Sequence, residues 1–334
     1  MDSVNSSSLL GVSGRVALAT GGSSGIGFMI SQVRIALPSL LFGGSVHKFV
    51  MNVPILSIPL ESPATKEKQC LVNSGVKVYL CGLPSDPIEN GVTELNAQGI
   101  QSGGIAIGFA GDLSFKEGIL AIADYISREP HLDILVSNAG IRRDARSPCN
   151  VLTASLAKLQ ASMWSSSYSD WDETFRINTT AHYFLSVALL PLLAAAGDLD
   201  LPGGIKGRQE GRGVVIVTSS CASMHNCTNV DLTSYATSKA GTDHLVALLA
   251  SKFARWYVRV CGINPGFVPS NMNPIDAGDN MFAGLIVKVP AKRVGGLGDL
   301  AGTVIYLSSQ AGSYVDGHCL CLDGGRVLLA NGQE

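Results

Sequence analysis

A stripe of one charge sign is missing from this chain. Its 24 lysines and arginines stand against 26 aspartates and glutamates, a formal charge of −2. Without a basic face there is little to neutralise phosphates, so nucleic acid is excluded as a partner. Paired metal ligands are missing too. The eight cysteines (Cys70, Cys81, Cys149, Cys221, Cys227, Cys261, Cys319 and Cys321) form no C-x-x-C pair. Several lie in strand-like runs, where a cysteine behaves as a small buried hydrophobe. That usage argues against a disulfide framework and for a reducing compartment. Cys221 and Cys227 bracket His225 with no second ligand cluster, so no metal site is expected. No uninterrupted apolar run reaches about 18 residues, so no transmembrane helix is expected. The polar, Ser-rich start has neither the basic head nor the apolar core of a signal peptide. A cytoplasmic location without a membrane partner follows by default.

What the chain does have is apolar mass in the right places. A hydrophobic fraction of 46% over 334 residues is ample for one large core. Strand-like runs occur at Val16–Ala19, Val76–Leu80, Ile105–Phe109, Ile134–Val136, Val214–Val217, Arg259–Ile263 and Cys319–Leu322. Continuous apolar runs of this kind suit parallel strands covered on both faces. They alternate with helical stretches, including Trp171–Leu193 and Ser234–Trp256, which implies a doubly wound α/β sheet. The expected organisation is a single Rossmann-type domain over 1–334, with a flexible N-terminus at 1–11. Residues 142–170 and 197–212 read as solvated loops.

Three features carry chemistry. First, the run Arg15–Ala19 enters Thr20-Gly21-Gly22-Ser23-Ser24-Gly25-Ile26-Gly27. Glycines allow close backbone approach to a ligand, and the following helix start offers N–H groups and a positive dipole end to a pyrophosphate. Second, Asp112, Asn138-Ala139-Gly140 and Asn264-Pro265-Gly266 each follow a strand-like run. Third, Tyr235 and Lys239 stand four apart, 15 residues after Ser220. On a helix, i and i+4 share a face. A nearby ammonium would lower a phenol from its ordinary value near ~10 and fit it for acid–base work. A serine hydroxyl would hold the substrate oxygen as charge develops. Taken alone, the Tyr–Lys pair reads as a surface accident; the ordered set overturns that reading.

Together these residues resemble the short-chain dehydrogenase/reductase family, closest to its 3-oxoacyl reductase-like branch. The matching pieces are T-G-x-x-x-G-I-G at 20–27, N-A-G at 138–140, Asn178, Ser220, Tyr235-x-x-x-Lys239, P-G-x-x-x-Ser at 265–270 and Asp323-Gly324-Gly325. The resemblance implies a seven-stranded parallel sheet of order 3-2-1-4-5-6-7. It implies Tyr235 as proton donor or base, and Ser220 as holder of the substrate oxygen, with Ser219 the neighbouring alternative. Lys239 would grip the nicotinamide ribose as well as tune the tyrosine. Asn178 would anchor a water leading to Lys239. Gly21, Ser23, Ile26 and Gly27 would contact the dinucleotide, Asp112 the adenine edge, Asn138 the adenine ribose, and Val268 and Ser270 the carboxamide. Arg176 could approach the cofactor, although a solvated helix face suits it better. The implied partner is a small-molecule ketone or secondary alcohol, 3-oxoacyl or polyketide-like, fitting secondary metabolism. The implied assembly is a homo-oligomer, usually a homotetramer.

The sequence departs from the family pattern at three points. The Ser220–Tyr235 interval is two residues longer than common, which bears on pocket shape. At the end of the second strand, Gly82-Leu83 replaces the acidic residue of NAD-specific sites. NADP is therefore favoured, with Asp86 arguing for NAD. Finally, Val33–Gln69 interrupts the first helix with prolines at 38, 54, 59 and 63. Joining Gln32 to Cys70 puts Ile26, Met29, Ile30 and Leu71 on one apolar face. The block reads as an insertion, a retained intron for instance. The rival functional reading is an inactive nucleotide-binding or scaffold protein disabled by that block.

Overall fold

The structure is a computed structural model describing residues 9–22, 25–31, 71–99, 102–143, 145–225, 229–273 and 283–330. Seven parallel strands form one sheet: β1 (Val16–Thr20), β2 (Lys77–Gly82), β3 (Ile105–Ala110), β4 (Ile134–Ser137), β5 (Val214–Thr218), β6 (Arg259–Pro265) and β7 (Cys319–Leu322). Their order is β3-β2-β1-β4-β5-β6-β7, as the family resemblance implies. Each apolar run named from the sequence is a strand, its ends shifted by at most two residues. β1 pairs on one side with β2 (Ala17 opposite Val78) and on the other with β4 (Ala17 opposite Ile134). Order reverses between these neighbours, so the carboxyl ends of β1 and β4 frame the crevice where such sheets bind ligands.

Alternate strand residues face opposite sides of the sheet. Ala17, Ala19, Val78, Leu80 and Val136 pack in one core cluster with Leu300 and Val304 of α7 (Leu297–Ser308). Leu18, Tyr79, Leu135, Val215 and Val217 pack in the other with Ile119 and Ile122 of α3 (Lys116–Ile126). Two long helices cover that second face. One runs from α4 (Tyr168–Phe175) through a π turn (Arg176–Thr180) into α5 (Ala181–Asp198); the other is α6 (Thr233–Phe253). The stretch Tyr168–Asp198 is long and apolar enough to cross a membrane by length and composition. Its Leu185, Leu189 and Leu193 are fully buried in the sheet-facing core. The sequence reading anticipated a long helix here, over Trp171–Leu193, but not one apolar enough to meet that criterion.

The loops expected at 142–170 and 197–212 contain more structure than that. Ser155 caps a helix at Leu156–Trp164. Ser167 and Asp170 close a capping box on α4: each accepts the other's backbone N–H. The Ser-rich stretch is therefore helix punctuation. A short antiparallel hairpin pairs Asp200–Leu201 with Ile205–Lys206.

The helix after β1, α1 (Gly25–Ile30), ends its described span at Ser31, and the chain is described again from Leu71. The block 33–69 and most of the N-terminal segment 1–11 lie outside the described residues. On either side of that block, Ile30 and Leu71 are fully buried in the same core cluster, with Ile26 and Met29 packed against it.

Candidate functional site

The carboxyl ends of β1, β2, β4 and β5 open onto a cavity of ≈ 620 Å³, lined by Gly21, Gly82, Asn138 and Thr218 among others. Gly21 sits at φ +61 and leaves no room for a side chain: an added Cβ would lie 3.2 Å from Ala139 Cα and from Asn138 Nδ2. Of the residues singled out in the sequence, Ile26, Asp112, Arg176, Tyr235, Lys239 and Ser270 line the same cavity. Two expected contacts do not. Gly27 is buried beneath the loop, where an added Cβ would fall 2.3 Å from Gly21 O. Its role is close packing of α1 on the loop. Val268 is 2% exposed and lines a neighbouring cavity instead. Ser23 lies outside the described residues.

Hydrogen bonds fix this wall. Thr20, at the end of β1, accepts from the N–H groups of Asn138 and Ala139 at 3.0 and 3.3 Å. Asn138 Nδ2 returns a bond to Thr20 O at 3.2 Å. The Asn138 side chain thus clasps β1 to β4, and only part of it faces the cavity. Asp112 accepts from the backbone and side chain of Ser114 at 2.8 and 2.7 Å. Asp86, which also lines the cavity, accepts the Leu83 N–H at 2.8 Å within the turn after β2.

The second cavity, ≈ 110 Å³, adjoins the first; Ile26, Ser219, Tyr235, Ser270 and Met272 line both. At this junction Ser220 and Tyr235 both line the second cavity, with the serine near enough to act on the phenol and favour its ionised form. The lengthened Ser–Tyr interval has not separated them. Ser220 Oγ accepts the Ala222 N–H at 3.1 Å, which leaves its own proton free to donate. Ser219 Oγ instead donates to Lys239 O at 3.0 Å and is spent on the helix. The geometry distinguishes the two serines that the sequence left side by side.

Lys239 is 3% exposed and donates to Thr218 O at 2.8 Å. Its ammonium stands 5.9 Å from the Tyr235 ring centroid. Burial holds Lys239 down to about 8, against a smaller upward pull from Asp243. The Tyr235 phenol is pushed up by burial, which outweighs the opposing influence of the Ser220 hydroxyl and the charge of Arg142. The sequence reading had Lys239 lowering this phenol. In the structure desolvation dominates, because a phenolate loses more hydration here than its neighbours restore.

Asn178 lies in the π turn, a feature that often marks functional sites. Its Oδ1 accepts the Ile141 N–H at 2.8 Å, and its Nδ2 donates to Ile141 O and Ser238 Oγ at 2.9 and 3.0 Å. A Cβ on Gly140 would lie 3.4 Å from Asn178 Oδ1 and 3.5 Å from Lys239 Nζ, so this glycine keeps the two polar groups in one pocket. Sequence reasoning missed His182, four residues on and therefore on the same face. It is 1% exposed and shares a 2.7 Å hydrogen bond with Ser137. Burial, then the charge of Lys239, push it down to about 3. It is a neutral prop under the end of β4. No group of three or more His, Cys, Asp or Glu side chains suited to a metal occurs among the described residues. Cys227 lies outside them, and the six described cysteines are free.

A dinucleotide-sized crevice at the switch point of a doubly wound sheet, meeting a Ser–Tyr–Lys set, defines a nicotinamide-dependent oxidoreductase. The family model described as enoyl-(acyl carrier protein) reductase matches residues 68–326. The short-chain dehydrogenase/reductase SAT3 of Stachybotrys chartarum is 29% identical, over 78% of this chain and 97% of its own. The short-chain dehydrogenase/reductase PhomF of Diaporthe leptostromiformis is 29% identical, over 96% and 94%. Among solved structures, the NADP active-site complex of RhlG from Pseudomonas aeruginosa superposes with a TM-score of 0.70 at 24% identity, covering 96% of this chain and 99% of that one. The chain belongs to the short-chain dehydrogenase/reductase family.

Proposed function

We propose that this protein reduces a ketone to a secondary alcohol with NADPH. The observation that carries the reading is the meeting of Ser220, Tyr235 and Lys239 where the crevice joins the second cavity. When bound, the nicotinamide supplies a hydride to the carbonyl carbon. Tyr235 then gives its proton to the carbonyl oxygen, balancing the hydride and completing the alcohol. A phenol held above its ordinary value is protonated at neutral pH, the form reduction requires. Ser220 donates to the same oxygen as negative charge builds. Lys239 and Asn178 flank Gly140 beneath the tyrosine, the route by which a proton would return through water.

Gly21, Ile26, Asp112, Asn138, Ser270 and Lys239 would hold the cofactor, with Arg176 at the rim and Ser23 in the loop. Val268 and Gly27 would support it from behind. The choice of NADP rests on Gly82 and Leu83, where no carboxylate meets a 2′-phosphate. The relative RhlG is described as an NADP complex, which accords with that choice. Asp86 is the nearby group that favours NAD, and its carboxylate is partly spent on Leu83. A 3-oxoacyl or polyketide-like carbonyl suits the acyl-carrier description of the family model, and a place in secondary metabolism goes with it. Titration with NADPH and NADH, followed by NADPH oxidation over a carbonyl panel, tests the reading. Tighter NADH binding would overturn the cofactor choice; NADPH binding with no carbonyl reduced would overturn the reductase.

The same proposal treats the chain as one domain interrupted at 33–69. Ile30 and Leu71 meet in one cluster across the block, and the family match begins at residue 68. It also includes a homo-oligomer built on the two long helices, where Tyr183, Val187 and Leu248 are exposed.

A further inference from the structure

The second cavity contains a cation that the proposed chemistry does not use. Arg326 is 6% exposed and lines the cavity with Ser220 and Tyr235. Its Nε is buried without a hydrogen-bond partner among the described residues. Asp323, three residues earlier, turns its carboxylate to the backbone: it accepts the Gly325 N–H at 3.0 Å and the Val327 N–H at 2.7 Å. A second cation, Arg142, lines the same cavity, as does His225. Burying a guanidinium with a donor left unpaired is costly. Proteins retain such a group where a ligand completes it. Its planar fork matches a carboxylate bidentately.

We infer that the substrate is a carboxylate-bearing ketone whose acid group pairs with Arg326 while its carbonyl oxygen meets Ser220 and Tyr235. This deepens the ketone-reductase reading and rests on it for the position of the carbonyl. It narrows the substrate class to a free oxo acid, in place of a carrier-bound 3-oxoacyl group; a neutral ester or amide would not replace the acid.

The test uses hexanoate and hexanamide as probes, titrated calorimetrically into the full-length protein saturated with NADP+. Wild type should bind hexanoate at least about tenfold tighter than hexanamide, the size of one charge-assisted hydrogen bond. Arg326→Gln should level the two affinities, and Arg326→Lys, which keeps the charge, should restore part of the preference. Equal binding in wild type, no hexanoate binding at millimolar concentration, or a preference that survives Arg326→Gln would each overturn the inference. Titrating NADP+ alone reads the oxidoreductase proposal separately. Protein that binds no NADP+ sinks that reading, and the acid–amide comparison on cofactor-free protein still decides the Arg326 site.

Discussion

Replacing Gly27 by alanine isolates the packing beneath the dinucleotide loop. A Cβ there would fall 2.3 Å from Gly21 O and 2.5 Å from Asn138 Nδ2. Neither is the free end of a flexible chain: one is backbone, and the other is held by Thr20 O. The helix and loop must part by about 1 Å to reach ordinary van der Waals separation. Overpacking of this kind costs about 1–3 kcal/mol, and loss of the Asn138 clasp adds about 1 kcal/mol. Urea unfolding should therefore show Gly27→Ala destabilised by roughly 2–4 kcal/mol, and NADPH fluorescence titration should show weakened binding. Gly302→Ala is the control. Gly302 lies exposed inside α7 with nothing within 4 Å of an added Cβ. Alanine there should stabilise by about 0.5–1 kcal/mol through helix propensity. A Gly27→Ala protein as stable as wild type, with unchanged NADPH affinity, would refute the close-packing argument.

Other outcomes follow from single contacts. His182 is depressed to about 3 in the fold, so the unfolded chain takes up its proton first as pH falls below about 6.5. Stability should drop between pH 6.5 and 3, by on the order of a few kcal/mol, and His182→Asn should flatten that slope in urea titrations at several pH values. Ser220→Ala should cut turnover about 10²-fold, whereas Ser219→Ala removes only the bond to Lys239 O and should cost about 1 kcal/mol of stability; equal losses of turnover would void the distinction between the serines. A chain with Gln32 joined to Cys70 should melt at a higher temperature and bind NADPH no more weakly. Failure of that shortened chain to fold would make 33–69 an integral part of the protein.

The strands and the motifs at the cavity were legible in the sequence because they rest on local signals, while the sheet order came from the family resemblance. Apolar runs such as Val214–Val217 need no partner to be read as strands, and glycine and Tyr-x-x-x-Lys spacings place groups within one turn or one helix face. What was not legible depends on distant contacts. The Tyr235 phenol is raised because the fold buries it, and burial is set by chain segments far from the Tyr–Lys pair. Gly27 looks like its neighbours in the loop, yet the position of Asn138, more than a hundred residues on, turns it inward. Arg326 follows Asp323-Gly324-Gly325 at the end of the motif, and its sequence neighbours do not reveal that it enters the cavity beside Ser220. The resemblance already favoured Ser220 over Ser219; the bond from Ser219 to Lys239 O supplies the physical reason.

The central claim is that Tyr235 delivers the proton. The most direct measurement is carbonyl-dependent NADPH oxidation by Tyr235→Phe, with NADPH affinity titrated in parallel. The account predicts turnover reduced by about 10²–10⁴-fold, the range for loss of a positioned general acid, with NADPH affinity retained. Turnover near the wild-type rate would contradict it and move the acid to another group.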